Sequence, residues 1–175
     1  MPHRDAHLNL IDSSRQLFEL DPGAEIEVGS GWVFGAGRSP HPVISNAAFR
    51  VADELDPGEL LERAQAFFAP RERGFAVGAR DGGVEDRELI DAAKAAGLKE
   101  VYAMPEMVLN RRPEECPLPA GVQLRRVVSA SDAADYWQVA SGAYASIGFP
   151  PEIFAFYEDH DGLTADNAAT FIADG

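Results

Sequence analysis

The segment Asn110 to Pro119 reads NRRPEECPLP, and it limits what this chain can fold into more than any other stretch. Pro113, Pro117 and Pro119 carry no amide hydrogen, so the segment cannot serve as the interior of a helix or a central strand. Arg111, Arg112, Glu114 and Glu115 keep it hydrated, which reads as a linker over residues 111–120 between a first unit, 1–110, and a second, 121–175. The second unit then has only about 55 residues, close to the lower limit for a domain that must bury its own core. Asp174-Gly175 is a strong two-residue hairpin signal, because both central positions of a type I′ turn need positive φ. No returning strand follows it, so the expectation is a second unit that is incomplete within these 175 residues.

In the first unit, Leu10, Ile11, Leu17 and Phe18 recur at helical spacing and predict a helix over 5–20, stopped by Asp21-Pro22-Gly23. Short apolar runs at 24–28, 32–35 and 43–51, separated by Gly29-Ser30-Gly31 and by a Gly/Pro-rich stretch at 37–42, predict an antiparallel meander. Asp56-Pro57-Gly58-Glu59 supplies an oxygen-bearing N-cap, proline at N1 and glutamate at N3. The helix it opens should bury Leu60, Leu61, Ala64, Phe67 and Phe68. A strand over 75–80, a helix over 85–96 closed by Gly97, and a strand over 101–109 complete the unit. Helices interleaved with mostly antiparallel strands place the chain in the α/β class, of the α+β type, with a mixed sheet and helices on both faces.

Beyond the linker the pattern restarts. Residues 122–128 read as a strand, and Asp132 opens a helix with Ala133, Trp137, Ala140, Tyr144 and Ile147 on one face. Phe149-Pro150-Pro151-Glu152 opens a second, aromatic helix with Ile153, Phe154 and Tyr157, and residues 169–173 form a last strand.

Charge narrows the functional classes. Fifteen Lys and Arg against 29 Asp and Glu leave a net charge of -14, a field that repels phosphate backbones and anionic lipid, so no nucleic-acid or membrane partner is expected. There is no basic-then-apolar leader, no long apolar run and only one cysteine, Cys116, which together predict a protein of the reducing cytoplasm.

With the elements in order, the sequence resembles the GNAT superfamily of N-acetyltransferases, as the N-terminal region of a member with two GNAT-like units in tandem. GVQLRRVVSASDAADYWQVASGAY is similar to the strand, loop and long helix with which such domains begin. GFPPEIFAFYEDHDG stands where the family's second helix lies, and AATFIADG where its second strand turns into the third. Upstream, AAKAAGLKEVYAMPEMVL looks like the family's closing elements, which makes the first unit a divergent GNAT-like domain. The resemblance implies transfer of acetyl from acetyl-CoA, as co-substrate of the full-length protein, to a small-molecule or peptide amine. It also implies that the first two helices of the second unit wall the acceptor pocket, nominating Tyr144, Phe149, Phe154 and Tyr157. From residue 127 to 175 there are eight acids and no Lys or Arg, a rim that would attract a cationic amine, although a solvated acidic face and plain core packing explain the same residues.

The family's cofactor loop, Arg or Gln-x-x-Gly-x-Gly or Ala, binds pyrophosphate through successive backbone N–H groups at a helix N-terminus. Its place in this chain reads Arg50-Val51-Ala52-Asp53-Glu54-Leu55-Asp56, without a glycine and with three carboxylates. Arg71 to Ala76 fits the letters but follows a helix and enters a strand, and Arg80 to Glu85 has the correct context but ends in acids, so both read as turns. These 175 residues are therefore expected to bind no cofactor, and no catalytic or metal-ligating residue is assigned.

The remaining motifs read as structure. Gly29 to Gly37 lacks Rossmann or P-loop spacing and reads as a tight hairpin. His3 and His7 share a helical spacing without a third ligand and read as a frayed terminus, and Glu158-Asp159-His160-Asp161 reads as a solvated acidic loop. Cys116 sits between Glu115 and Pro117, a setting unsuited to an activated thiolate. A second class of function stays open: a non-enzymatic binding or dimerisation module whose strand edges and aromatic surfaces meet a partner, with a homodimer compatible with either reading.

Overall fold

The computed structural model describes residues 2–42, 45–80, 86–101, 103, 111, 114, 116–150, 161–164 and 169–175. The chain divides into two compact units, residues 1–108 and 109–175. The fold is mixed α+β, with a mostly antiparallel four-stranded sheet in the first unit and a two-stranded sheet in the second.

In the first unit α1 (Pro2–Leu20) leads into β1 (Glu25–Val28), β2 (Trp32–Ala36) and β3 (Asn46–Arg50). These three strands pair antiparallel in sequence order. The chain then crosses through α2 (Pro57–Phe68) to β4 (Ala76–Gly78), which lies parallel to β3, and continues into α3 (Arg87–Ala95). A parallel neighbour cannot be reached by a tight turn, which is why a helix intervenes at this point.

The pleat of the central strands sorts their side chains between two cores. Phe34, Ala36 and Ala48 face α2 and α3, where they meet Leu60, Ala64, Phe67, Phe68 and Leu89. Val33, Ala47 and Phe49 face the other way, toward Ile11 and Phe18 of α1. Helices thus cover both faces, and β2 and β3 read WVFGA and NAAFR instead of alternating with polar residues. Phe34, Leu60 and Phe68 are fully buried, each contributing about 1.5–3 kcal/mol of apolar transfer. Phe68 stacks on Phe75 at 4.7 Å and meets Phe67 edge-on at 4.8 Å.

Local chemistry sets the helix ends. Asp56 Oδ1 accepts the Glu59 amide at 3.0 Å, as the N-cap signal requires. Gly97 has φ +84°, and the Leu98 and Gly97 amides close α3 on the Ala93 and Lys94 carbonyls, a Schellman arrangement that places the left-handed residue at C′. The first helix differs from expectation at its start: it is helical from Pro2, and His7 is 5 % exposed, so His7 belongs to a packed helical turn and not to a frayed end. Its cause is tertiary, since His7 Nε2 lies 3.4 Å from the Arg50 carbonyl oxygen. The strand expected over 75–80 covers only Ala76–Gly78, because the Arg80 amide donates to the Asp86 carboxylate instead of to a neighbouring strand.

In the second unit β5 (Gln123–Arg126) pairs antiparallel with β6 (Phe171–Asp174), and α4 (Ala130–Ser146) lies against one face of the pair. Ser129 caps α4 from its side-chain oxygen, and Asp132 reaches back to the Val128 amide at 3.2 Å. The core holds Val127, Ala133 and Ile172, with Tyr136 and Leu163 packed against it. The expected stripe through Trp137, Tyr144 and Ile147 does not hold along the whole helix: Tyr144 and Ile147 are exposed, and Tyr136 takes the inward position. The expected aromatic helix at 152–157 lies outside the described residues, as do most of the strand at 101–109 and Arg112, Pro113 and Glu115 of the linker.

Candidate functional site

Parallel strands with a crossover helix place ligands at the carboxyl ends of their strands, and here those ends are β3 and β4. Arg50 closes β3, and Arg80 lies two residues beyond β4. Both guanidinium groups converge on Asp86, the residue before α3. Arg50 Nη2 donates to Asp86 Oδ1 at 2.5 Å, while Arg80 donates through Nε to Oδ2 at 2.8 Å and through Nη2 to Oδ1 at 3.0 Å. Arg80 also donates to Asp53 Oδ1 at 2.7 Å, and Arg4 of α1 approaches Asp53 Oδ2 at 3.9 Å. Arg50 further reaches the Asp53 and Leu55 carbonyls at 3.4 Å, so one guanidinium ties the strand to the loop that follows it.

The Arg50 and Asp86 side chains are 3 % and 2 % exposed, and Arg80 is 12 % exposed. Burial pushes the Asp86 carboxyl upward, but the hydrogen bonds from Arg80 and Arg50 outweigh it and hold the group well below the usual carboxylate range. The Arg80 guanidinium is correspondingly raised by Asp86 and Asp53. Asp86 spends its oxygens on these arginines and does not cap its own helix.

The junction from Arg50 to Asp56 is the place where the resemblance implies the acetyl-CoA loop. Its residues do not fit that ligand. Asp53 is committed to Arg80, Asp56 caps α2, and Arg50 is buried against Asp86. The part of Arg80 to Glu85 beyond Arg80 lies outside the described residues, whereas Glu72 with φ +52° makes the RERGFA stretch the turn that was expected.

Among the nominated pocket residues, Tyr144 and Phe149 meet edge-to-face at 5.7 Å and 90°. Gly148, at φ +94°, turns the chain back so that the Phe149 amide reaches the Tyr144 carbonyl at 3.1 Å. Phe154 and Tyr157 fall outside the described residues, as do Glu158 to His160. A shallow cleft in this unit, about 500 Å³, is lined by Arg125, Asp135, Gln138, Val139, Gly142, Ala143, Ile172 and Asp174, so neither Tyr144 nor Phe149 lines it. At its mouth Arg125 is held by Asp132, Asp135 and Asp174. Three acids of the second unit therefore converge on one partly exposed arginine that ties β5 to α4 and β6. Tyr136 sits half-buried, and burial, followed by Tyr144, raises its hydroxyl.

Sequence reasoning missed the Arg50–Asp86–Arg80–Asp53 network. One signal was present in the chain: an arginine at the end of an otherwise apolar strand needs a carboxylate partner if it is buried. Among the described residues no group of three or more metal-ligating side chains converges, and no helix is long and apolar enough to cross a membrane. Comparison with family models, curated proteins and solved structures finds no match for this chain.

Proposed function

We propose that this chain is the N-terminal region of a GNAT-type N-acetyltransferase, in which the first unit is a cofactor-free scaffold and the second begins the acceptor side. The observation that carries the reading is the junction between β3 and α2. The order of three antiparallel strands, a helix and a further strand puts a strand-to-helix turn at Arg50 to Asp56, where the family would bind pyrophosphate, and a buried ion network fills it. Acetyl-CoA would supply the activated acetyl group in the full-length protein, and an amine would accept it. What this chain's own residues do in the first unit is structural: Asp86 neutralises Arg50 and Arg80 at the ends of two parallel strands.

Calorimetric titration tests both halves of the reading. The 175-residue chain should give no heat with acetyl-CoA, whereas the natural gene product that carries it should bind acetyl-CoA at micromolar concentration and release free CoA thiol with an amine panel. Micromolar binding by the 175-residue chain would remove the scaffold assignment, and failure of the gene product to bind would remove the enzyme.

A second reading, a binding or dimerisation module, draws on the second unit. Leu124 and Phe171 lie on the face of the β5–β6 pair opposite Ile172, and they and Val128 are 54 %, 51 % and 68 % exposed. Sedimentation showing a stable dimer, together with a gene product inert toward acetyl-CoA, would favour it.

A further inference from the structure

The geometry points to Asp53 as a built-in oxyanion: its carboxylate occupies a site formed by Arg80 and Arg4 that takes an external phosphate or sulfate once the Asp53 charge is removed. The inference rests on the arginine geometry alone and is independent of the acetyl-transfer reading.

Three guanidinium groups and two carboxylates share this corner of the first unit: Arg4, Arg50 and Arg80 with Asp53 and Asp86. Asp86, at 2 % exposure, is the interior partner and serves Arg50 and Arg80 together. Asp53 is the outer partner, 30 % exposed, with one oxygen on Arg80 Nη2 at 2.7 Å and the other toward Arg4 Nη1 at 3.9 Å. Two cations from different elements therefore flank the carboxylate, Arg80 donating a charge-assisted hydrogen bond and Arg4 attracting it from beyond hydrogen-bond distance. The neighbouring acids do not compete for the position in the same way, because Asp56 Oδ1 is engaged by the Glu59 amide and Glu54 is exposed. Removing the Asp53 charge raises the local balance of these five groups from one net positive charge to two, with Arg80 still oriented by its double contact to Asp86. The ligand is an inorganic oxyanion or a phosphoryl group small enough to fill the space of a carboxylate.

The test compares the wild-type chain with Asp53→Ala in thermal melts in sodium phosphate and in sodium chloride of matched ionic strength. Phosphate strengthens burial in any protein, so the quantity read is the rise for the variant minus the rise for wild type. The variant should gain at least about 3 °C over wild type at roughly 50 mM phosphate, as expected for an occupied site that only the folded state offers. Arg4→Gln added to Asp53→Ala should abolish most of that gain. Equal rises in both chains, or a gain untouched by Arg4→Gln, would overturn the proposal. If Asp53→Ala fails to fold in chloride, recovery of a cooperative transition in phosphate that the added Arg4→Gln change abolishes supports the site, and failure to recover, or a recovery that Arg4→Gln leaves intact, counts against it.

Discussion

Replacing Asp86 by alanine should be the most damaging polar substitution in the first unit. The side chain is 2 % exposed and is the shared partner of Arg50 and Arg80, whose side chains are 3 % and 12 % exposed. Its loss removes the 2.5 Å contact from Arg50 Nη2 to a buried carboxylate, whereas the Arg50 contacts to the Asp53 and Leu55 carbonyls are longer, at 3.4 Å, and go to uncharged acceptors. Breaking a buried pair from one side costs about 3–5 kcal/mol, because the abandoned charge stays out of water. A unit of 108 residues has an unfolding entropy of roughly 0.23 kcal/mol/K, so the melting temperature should fall by roughly 13–22 °C. Thermal unfolding followed by circular dichroism reads this directly. The companion variant Arg50→Met/Asp86→Leu separates the mechanism from a mere loss of contact: it removes the most deeply buried pair together, leaves Arg80 with Asp53, and should recover part of the loss. A fall of less than about 1 kcal/mol for Asp86→Ala, or a double variant as unstable as the single one, would refute the reasoning that an uncompensated buried cation is the cause.

Acid should act through the same residue. Its folded pKa lies below the unfolded value of about 3.9, so the stabilisation is complete above that pH and is lost as pH falls toward the folded pKa; equilibrium denaturation should show Asp86→Asn with a shallower acid slope than wild type below about pH 4. Gly35→Ala should destabilise the first unit by about 1–3 kcal/mol in urea unfolding, because the added methyl would sit 2.2 Å from the Phe18 ring in a face already packed between sheet and helix. Asp56→Ala removes the bond to the Glu59 amide and should cost about 1 kcal/mol by the same measurement, with Asp56→Asn nearly neutral.

The parts of this protein that were legible in its sequence are those decided within a few residues. The Asp-Pro-Gly-Glu start of α2, the glycine stop of α3 and the hairpin at Gly29-Ser30-Gly31 follow from caps and turns whose chemistry is local. The class of fold was legible for the same reason, since helical and strand periodicities alternate in an order that only a mixed sheet accommodates. What periodicity could not reveal were relations between distant residues. His7 reads as an exposed residue of a terminal helix until the Arg50 carbonyl, 43 positions away, is brought to it. Asp86 reads as part of a helix over 85–96 until Arg50 and Arg80 claim its oxygens just ahead of α3, which also ends β4 early. Tyr144 and Ile147 share a helical face with Ala133, but only Ala133 is buried against Val127 and Ile172, while Tyr144 and Ile147 are 42 % and 69 % exposed. Burial of a charge or a ring depends on which surface arrives opposite it, and that is decided by chain topology rather than by the spacing of residues along one element.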